Sequence, residues 1–281
     1  MGEILARWHE ALVEQSPVAI ATLIEGAGIG GKILVSPEDH VGTAGNEELD
    51  RAVVEAARGM LEGGRTDTIH LGPRGQRRME DVTLFIQSFA PPPRMYVFGA
   101  IDFASAVAKI GKVMGYRVTV CDARGVFATR ERFPTVDEVV VAWPDEFLKT
   151  AEVDSRTVIC VLTHDPKFDV PVLKAALATP ARYIGAMGSR RTHNNRTARL
   201  IEDGVTEEEL SRIASPIGLD IGARTPEETA VAIAAEIIAR RTGHPGGRLS
   251  ERSGPIHLPE PDIAVSPDAG DAATAVPERP R

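Results

Sequence analysis

Four short stretches gather the side chains that could do chemistry. In the first, Thr163, His164 and Asp165 follow the apolar run 157–162, with Asp169 just beyond. A hydroxyl, an imidazole and a carboxylate at a strand end could relay protons or contribute to a metal site. The same Thr163 and Asp165 could instead cap the next helix. No HExxH or CxxC pattern accompanies them, so the residue types leave any metal unknown. In the second stretch, Gly188, Ser189, Arg190 and Arg191 follow the apolar run 183–187. A glycine turn, a natural N-cap and two guanidinium groups at a helix start favour a bound anion, a phosphate or carboxylate. Cations there oppose the helix dipole, so they need a compensating anion or a cluster of surface acids.

The third stretch, 99–104, lies where a dinucleotide fingerprint G-x-G-x-x-G/A would lie. Gly99 and Ala104 fit, but Ile101 stands in the middle glycine's place and Asp102 sets a carboxylate beside it. Asp122 falls roughly 20 residues on, where a ribose-binding acid belongs. The pattern gives a Rossmann-type turn and argues against NAD(P) as the cofactor. In the fourth stretch, 216–228, a glycine-rich loop carries Asp220 and Arg224 before the capping sequence Thr225-Pro226-Glu227-Glu228. A loop closing over a flat heterocycle and a purely structural loop fit it equally well.

The elements that must position these residues are readable from period and punctuation. Residues 94–243 alternate apolar runs (95–98, 117–121, 138–142, 157–162, 183–187) with amphipathic stretches (103–114, 170–178, 190–202, 207–213, 226–240). Uniformly apolar strands separated by helices predict a parallel sheet covered on both faces, with ligands beyond the carboxyl ends of its strands. The fold class is therefore α/β, a doubly wound Rossmann-type parallel sheet, behind a smaller amino-terminal α+β domain over 1–90. That domain is built from strands at 18–24, 32–35, 66–71 and 82–89 around a helix at 47–62, with a glycine-rich loop at 26–31. Pro91, Pro92 and Pro93 form a stiff linker. Residues 244–281 are rich in Pro, Gly, Ala, Ser and acids without a period, and read as a poorly structured tail.

Composition limits the function. Of 281 residues, 43% are hydrophobic and 26% charged, which excludes a wholly disordered chain. Lys plus Arg number 32 against 40 Asp plus Glu, and a net charge of -8 argues against a nucleic-acid or anionic-membrane binder. Two cysteines, Cys121 and Cys160, are too few for a disulfide framework. No apolar run has the length of a membrane span, and the amphipathic first 15 residues lack a signal-peptide core. The expected location is the cytoplasm.

LTHDPKFD (162–169), YIGAMGSRRTH (183–193) and PIGLDIGARTPEE (216–228), in that order, resemble the carboxy-terminal domain of the XdhC/CoxI family. RFP at 132–134 and VVVAWP at 139–144 extend the likeness across 94–243. The resemblance implies a maturation protein for molybdenum hydroxylases, a chaperone or insertase rather than a catalyst. It implies molybdenum cofactor (molybdopterin) as the ligand and a hydroxylase apo-enzyme as partner, with a cofactor sulfurtransferase and a second copy of the chain as further candidates. On this reading Gly188, Ser189, Arg190 and Arg191 hold the cofactor's phosphate, Thr163, His164 and Asp165 lie near the metal or pterin, Gly99 and Asp122 line the edge, and Asp220 to Arg224 close the pocket. The family's amino-terminal Gly-Ser-x-Pro-Arg and Gly-Gly-Cys patterns are replaced here by the 26–31 loop and by Asn46-Glu47-Glu48. The competing readings are an NAD(P)-dependent oxidoreductase and a cofactor-free assembly scaffold.

Overall fold

A computed structural model describes residues 2–76, 79–163, 165–251 and 253. His164 and residues 254–281, most of the segment read as a tail, therefore lie outside the described residues.

The amino-terminal part opens with helix α1 (Gly2–Glu14) and builds an antiparallel sheet. Its strands are β1 (Val18–Glu25), β2 (Lys32–Val35), β3 (His40–Thr43), β4 (Asp67–Leu71) and β5 (Val82–Phe89), in the order β3-β2-β1-β5-β4. Helix α2 (Glu47–Gly63) covers it. Asn46 starts that helix by accepting from the Leu49 N–H at 3.0 Å, and Gly64 ends it with φ 63°. Leu49, Val53, Ala57 and Met60 recur along one face and pack on Ala19, Ala21, Leu23, Ile33 and Leu84. Helix to sheet, this core is separate from the two described next.

Beyond the prolines the chain winds a six-stranded parallel sheet from β6 (Arg94–Phe98), β7 (Arg117–Cys121), β8 (Glu138–Val140), β9 (Val158–Val161), β10 (Tyr183–Ala186) and β11 (Ile213–Ala214). The order is β8-β7-β6-β9-β10-β11, that of a doubly wound Rossmann fold, as the sequence pattern predicts. Alternate residues go to opposite faces. Val97, Val118, Val120, Val158 and Cys160 lie under helices α3 (Asp102–Val113) and α8 (Pro226–Thr242). Phe98, Cys121, Ile159, Val161 and Ile184 lie under α4 (Pro144–Thr150), α5 (Pro166–Leu177) and α6 (Arg190–Glu202). Short α7 (Glu207–Ser211) leads into β11. Arg156 donates to the Pro91 carbonyl and Arg117 N–H to the Pro93 carbonyl, which ties the proline segment to this sheet. Among the described residues no helix is long and apolar enough to cross a membrane.

The structure corrects several element assignments. β3, β11 and α4 are not expected from the sequence, because segments of two to seven residues carry too little periodicity. α5 begins at Pro166 rather than 170: Asp165 caps it and Pro166 takes the first position, while Pro171 is accommodated inside the helix. The helix expected over 207–213 stops at Ser211, because Ile213 pairs with Ile184 in the sheet.

Two glycines show how close approach and backbone strain can be separated. Gly99 (φ +103°) lies against β9, and a Cβ there would stand 2.8 Å from Thr163 Cγ2 and 3.0 Å from its backbone nitrogen. Gly115 (φ +83°) has nothing within 4 Å of such a Cβ. Gly115→Ala is expected to cost about 1–2 kcal/mol from backbone strain alone. Gly99→Ala should cost clearly more, as read by urea unfolding. Equal losses would show that the contact between the β6 and β9 ends is loose.

Candidate functional site

The strand order reverses between β6 and β9, so the crevice lies beyond their carboxyl ends. At the end of β7, Asp122 is buried, and its two oxygens face four donors. Ala100 N–H (2.8 Å) and Arg124 Nη2 (2.8 Å) reach Oδ2; Arg124 N–H (2.9 Å) and Nε (2.9 Å) reach Oδ1. Burial pushes this carboxyl upward, but the Arg124 fork and the two backbone N–H groups outweigh it and hold Asp122 below its ordinary value. It stays ionised with its acceptor capacity used inside the protein. Asp102 at the start of α3 is exposed and pairs with Arg132 Nη2 at 3.2 Å. Arg124 lies 4.7 Å and Arg132 5.5 Å from the centre of the Phe127 ring, while Trp143 packs on Phe168 at 5.0 Å.

Beyond β9 and β10 a second network is buried. Thr163 Oγ1 donates to Asp169 Oδ1. Arg196 Nη2 donates to Asp169 Oδ2 at 2.7 Å and to the Met187 carbonyl at 2.7 Å, and Nη1 to Ser215 Oγ at 3.2 Å. Arg196 Nε is buried with no hydrogen-bond partner among the described residues. One guanidinium thus joins the loops that leave β9, β10 and β11.

Above that guanidinium stands the anion stretch. A Cβ on Gly188 (φ +150°) would lie 3.5 Å from Arg196 Nη2 and 3.0 Å from Thr192, so a side chain would crowd the turn. Ser189 caps α6, its hydroxyl accepting from Thr192 N–H at 3.2 Å. The N–H groups of Arg190 and Arg191 precede the first intrahelical donor, His193, and so face outward from the helix end. Both arginines are exposed, and neither forms an ion pair or side-chain hydrogen bond with a described residue.

The sequence-predicted residues divide accordingly. Gly99 touches Thr163, Thr163 binds Asp169, and Gly188 sits beside Arg196, so these share one edge. Asp122 is there too, but engaged by Arg124. Asp165 is used as the cap of α5, accepting from Lys167 N–H at 3.1 Å, a bond that lowers its carboxyl below the usual range. The Ser189 hydroxyl is likewise a cap rather than a free ligand group. His164 lies outside the described residues. Asp220 and Arg224 are exposed, and their side chains make no hydrogen bond or ion pair with a described residue; the Arg224 backbone N–H instead donates to Glu228 at 2.8 Å. The loop before them is fastened to α8, where Glu236 accepts from Gly218 N–H (2.7 Å) and Tyr183 Oη (2.5 Å). Sequence reasoning missed Arg196, Arg124 and Arg132. For Arg196 one signal was present: in very polar α6 it shares the buried side with Leu200, four residues on.

Burial pushes the Cys121 and Cys160 thiols up to about 12, so both are neutral thiols at pH 7. No group of three or more His, Cys, Asp or Glu among the described residues is arranged to hold a metal. The edge presents backbone N–H groups of the first turn of α6 and the exposed guanidinium groups of Arg190 and Arg191, chemistry suited to an anion.

A family model described as the XdhC Rossmann domain matches residues 95–237, and one described as the XdhC and CoxI family matches residues 11–72. The chain is 33% identical over 162 residues to a Bacillus subtilis protein named as a probable subunit of xanthine dehydrogenase, covering 58% of this chain and 47% of that protein. It is 30% identical over 157 residues to the molybdenum cofactor insertion chaperone PaoD of Escherichia coli, covering 56% and 43%. It is 28% identical over 280 residues to the uncharacterised Escherichia coli protein YqeB, covering 94% and 51%. The chain thus spans about half the length of these curated relatives. A crystal structure of a xanthine dehydrogenase from Bacillus halodurans superposes with a TM-score of 0.50 at 19% identity over 86% of this chain and 97% of that one, a likeness of fold.

Two expectations follow from this geometry. Asp169→Ala and Arg196→Ala should each destabilise the Rossmann unit by about 3–5 kcal/mol in urea unfolding, because each removes one side of a buried ion pair. The double variant should cost less than their sum; strict additivity would mean that the two charges do not organise the edge together. Titration calorimetry with NADH or NADPH should show no binding tighter than about millimolar, roughly 4 kcal/mol, since Asp122 is engaged and Ile101 and Asp102 oppose a diphosphate. Micromolar affinity would move an oxidoreductase to the front.

Proposed function

The chain belongs to the XdhC and CoxI family, and from that premise we propose that it is an accessory protein of a molybdenum hydroxylase. It holds molybdenum cofactor as cargo in the cytoplasm and passes it to the apo-enzyme, at a stage where a cofactor sulfurtransferase also has access. The observation that carries this reading is the pair of exposed guanidinium groups of Arg190 and Arg191 at the start of α6, without an ion pair among the described residues and beside backbone N–H groups of the first helical turn. Cations opposed by a helix dipole, with no acidic partner among the described residues, are suited to a ligand's phosphate.

The remaining chemistry of the edge is that of a carrier. The cargo brings molybdenum on its own dithiolene sulfurs. The described residues offer no donor cluster to take over that metal, and both cysteines are buried neutral thiols, so nothing in them competes with release. Arg190 and Arg191 grip the phosphate from the surface. The Asp169–Arg196 pair fixes Gly188 and Thr163 from beneath and leaves the outer face of the site open to the acceptor. PaoD, named as a cofactor insertion chaperone, supports the same role here.

Arg190→Ala and Arg191→Ala test this. Each should weaken retention of the cofactor by about 1.5–3 kcal/mol, ten- to a hundredfold, through loss of a charge-assisted contact. The thermal midpoint should hold or rise, because α6 loses a charge opposed by its dipole. Unchanged retention in both variants would place the phosphate elsewhere.

A further inference from the structure

The carboxyl edge has two halves, one on β6 and β7 and one on β9 and β10. In dinucleotide-binding Rossmann domains the first half takes a nucleoside: the acid ending the second strand accepts from the ribose, and the middle glycine admits the pyrophosphate. In this chain that half is filled from within. Asp122 already receives four donors, two of them from the Arg124 side chain in a bidentate fork. A ribose hydroxyl can reach this carboxylate only by displacing Arg124, whose guanidinium is also held over Phe127 at 4.7 Å and lies 6.0 Å from the centre of Phe168. Ile101 occupies the middle position, partly buried against the core under α3. Asp102 follows it and is itself held by Arg132. The β9–β10 half is the reverse case, with Arg190 and Arg191 unpaired among the described residues.

We propose that Arg124 is a specificity-determining residue, an internal cation that closes the nucleoside half of the crevice. The chain then accepts a ligand ending in a phosphate monoester and rejects the same ligand extended by a nucleotide through a pyrophosphate. The proposal rests on the cofactor reading above and names the form of the cargo: the pterin monophosphate over a pterin dinucleotide. The bidentate Arg–carboxylate fork is among the stronger protein contacts, and a pyrophosphate drawn along the β6 turn would meet the Asp102 carboxylate.

The full chain is titrated anaerobically with molybdopterin monophosphate and with molybdopterin cytidine dinucleotide, and affinity is read from pterin fluorescence. The wild-type chain should bind the monophosphate at least about tenfold more tightly. Arg124→Ala frees Asp122, and Ile101→Gly reopens the turn; each should narrow that preference by strengthening dinucleotide binding while monophosphate affinity stays the same. A gain of binding cannot come from misfolding, and Ile101→Gly keeps the test decisive if Arg124→Ala fails to fold. Equal affinities in the wild-type chain would overturn the selectivity and leave the cofactor reading standing. A wild-type preference that neither variant moves would overturn the role given to this half of the crevice. Binding of neither form would overturn the cofactor reading and this inference with it.

Discussion

Asp169 and Arg196 are 2% and 5% exposed, so water can hydrate neither charge. Removing such ions from water costs several kcal/mol each, and only close pairing with further hydrogen bonds offsets that cost. The partners that complete the pair set the geometry of the edge. Thr163 comes from the end of β9, the Met187 carbonyl from the end of β10 and Ser215 from the end of β11. Each loop must stand where its donor or acceptor reaches the pair. Gly99 then closes against Thr163, and Gly188 lies over the guanidinium. Three strands and the start of α6 are thereby positioned by one buried interaction.

The other half of the edge follows the same logic with a different outcome. Asp122 sits where a Rossmann fold usually meets its ligand, yet it joins Ala100 N–H to Arg124 and stiffens the turn after β6. A position that reads as ligand-binding has become a brace. This is why fold and function separate here: the doubly wound sheet brings acids and glycines to its carboxyl edge, but their hydrogen-bond partners decide whether they remain available to a ligand.

Much of this was legible in the sequence and some was not. Apolar runs near 95, 117, 157 and 183 gave the parallel sheet because strands covered on both faces cannot hide polar residues. The 190–202 helix was legible to its ends, since Ser189 is a strong N-cap and the polar run is continuous. β11 and α4 were not, because two and seven residues carry no usable period and exist through their neighbours. The residue types at the edge were visible; their partners were not. Asp122 with Arg124 is a contact over two residues that spacing alone cannot tell from a free acid. Arg196 is 27 residues from Asp169, and only the packing of α6 on α5 brings them together.

The division of charges at this edge also bears on the release proposed above. Asp122, Asp169 and Arg196 are buried and paired, so they shape the site whether or not a ligand is present. Arg190 and Arg191 are exposed and opposed by the dipole of their own helix, so their attraction for an anion is screened by water and salt. A protein that must keep its ligand would bury its cations around the phosphate. One that must surrender it to another surface does better with a rigid frame beneath and solvated cations on top, because an approaching acceptor can compete for the phosphate without disturbing the buried pair. In this chain Gly188, over the buried Arg196 guanidinium, stands two residues before the exposed Arg190.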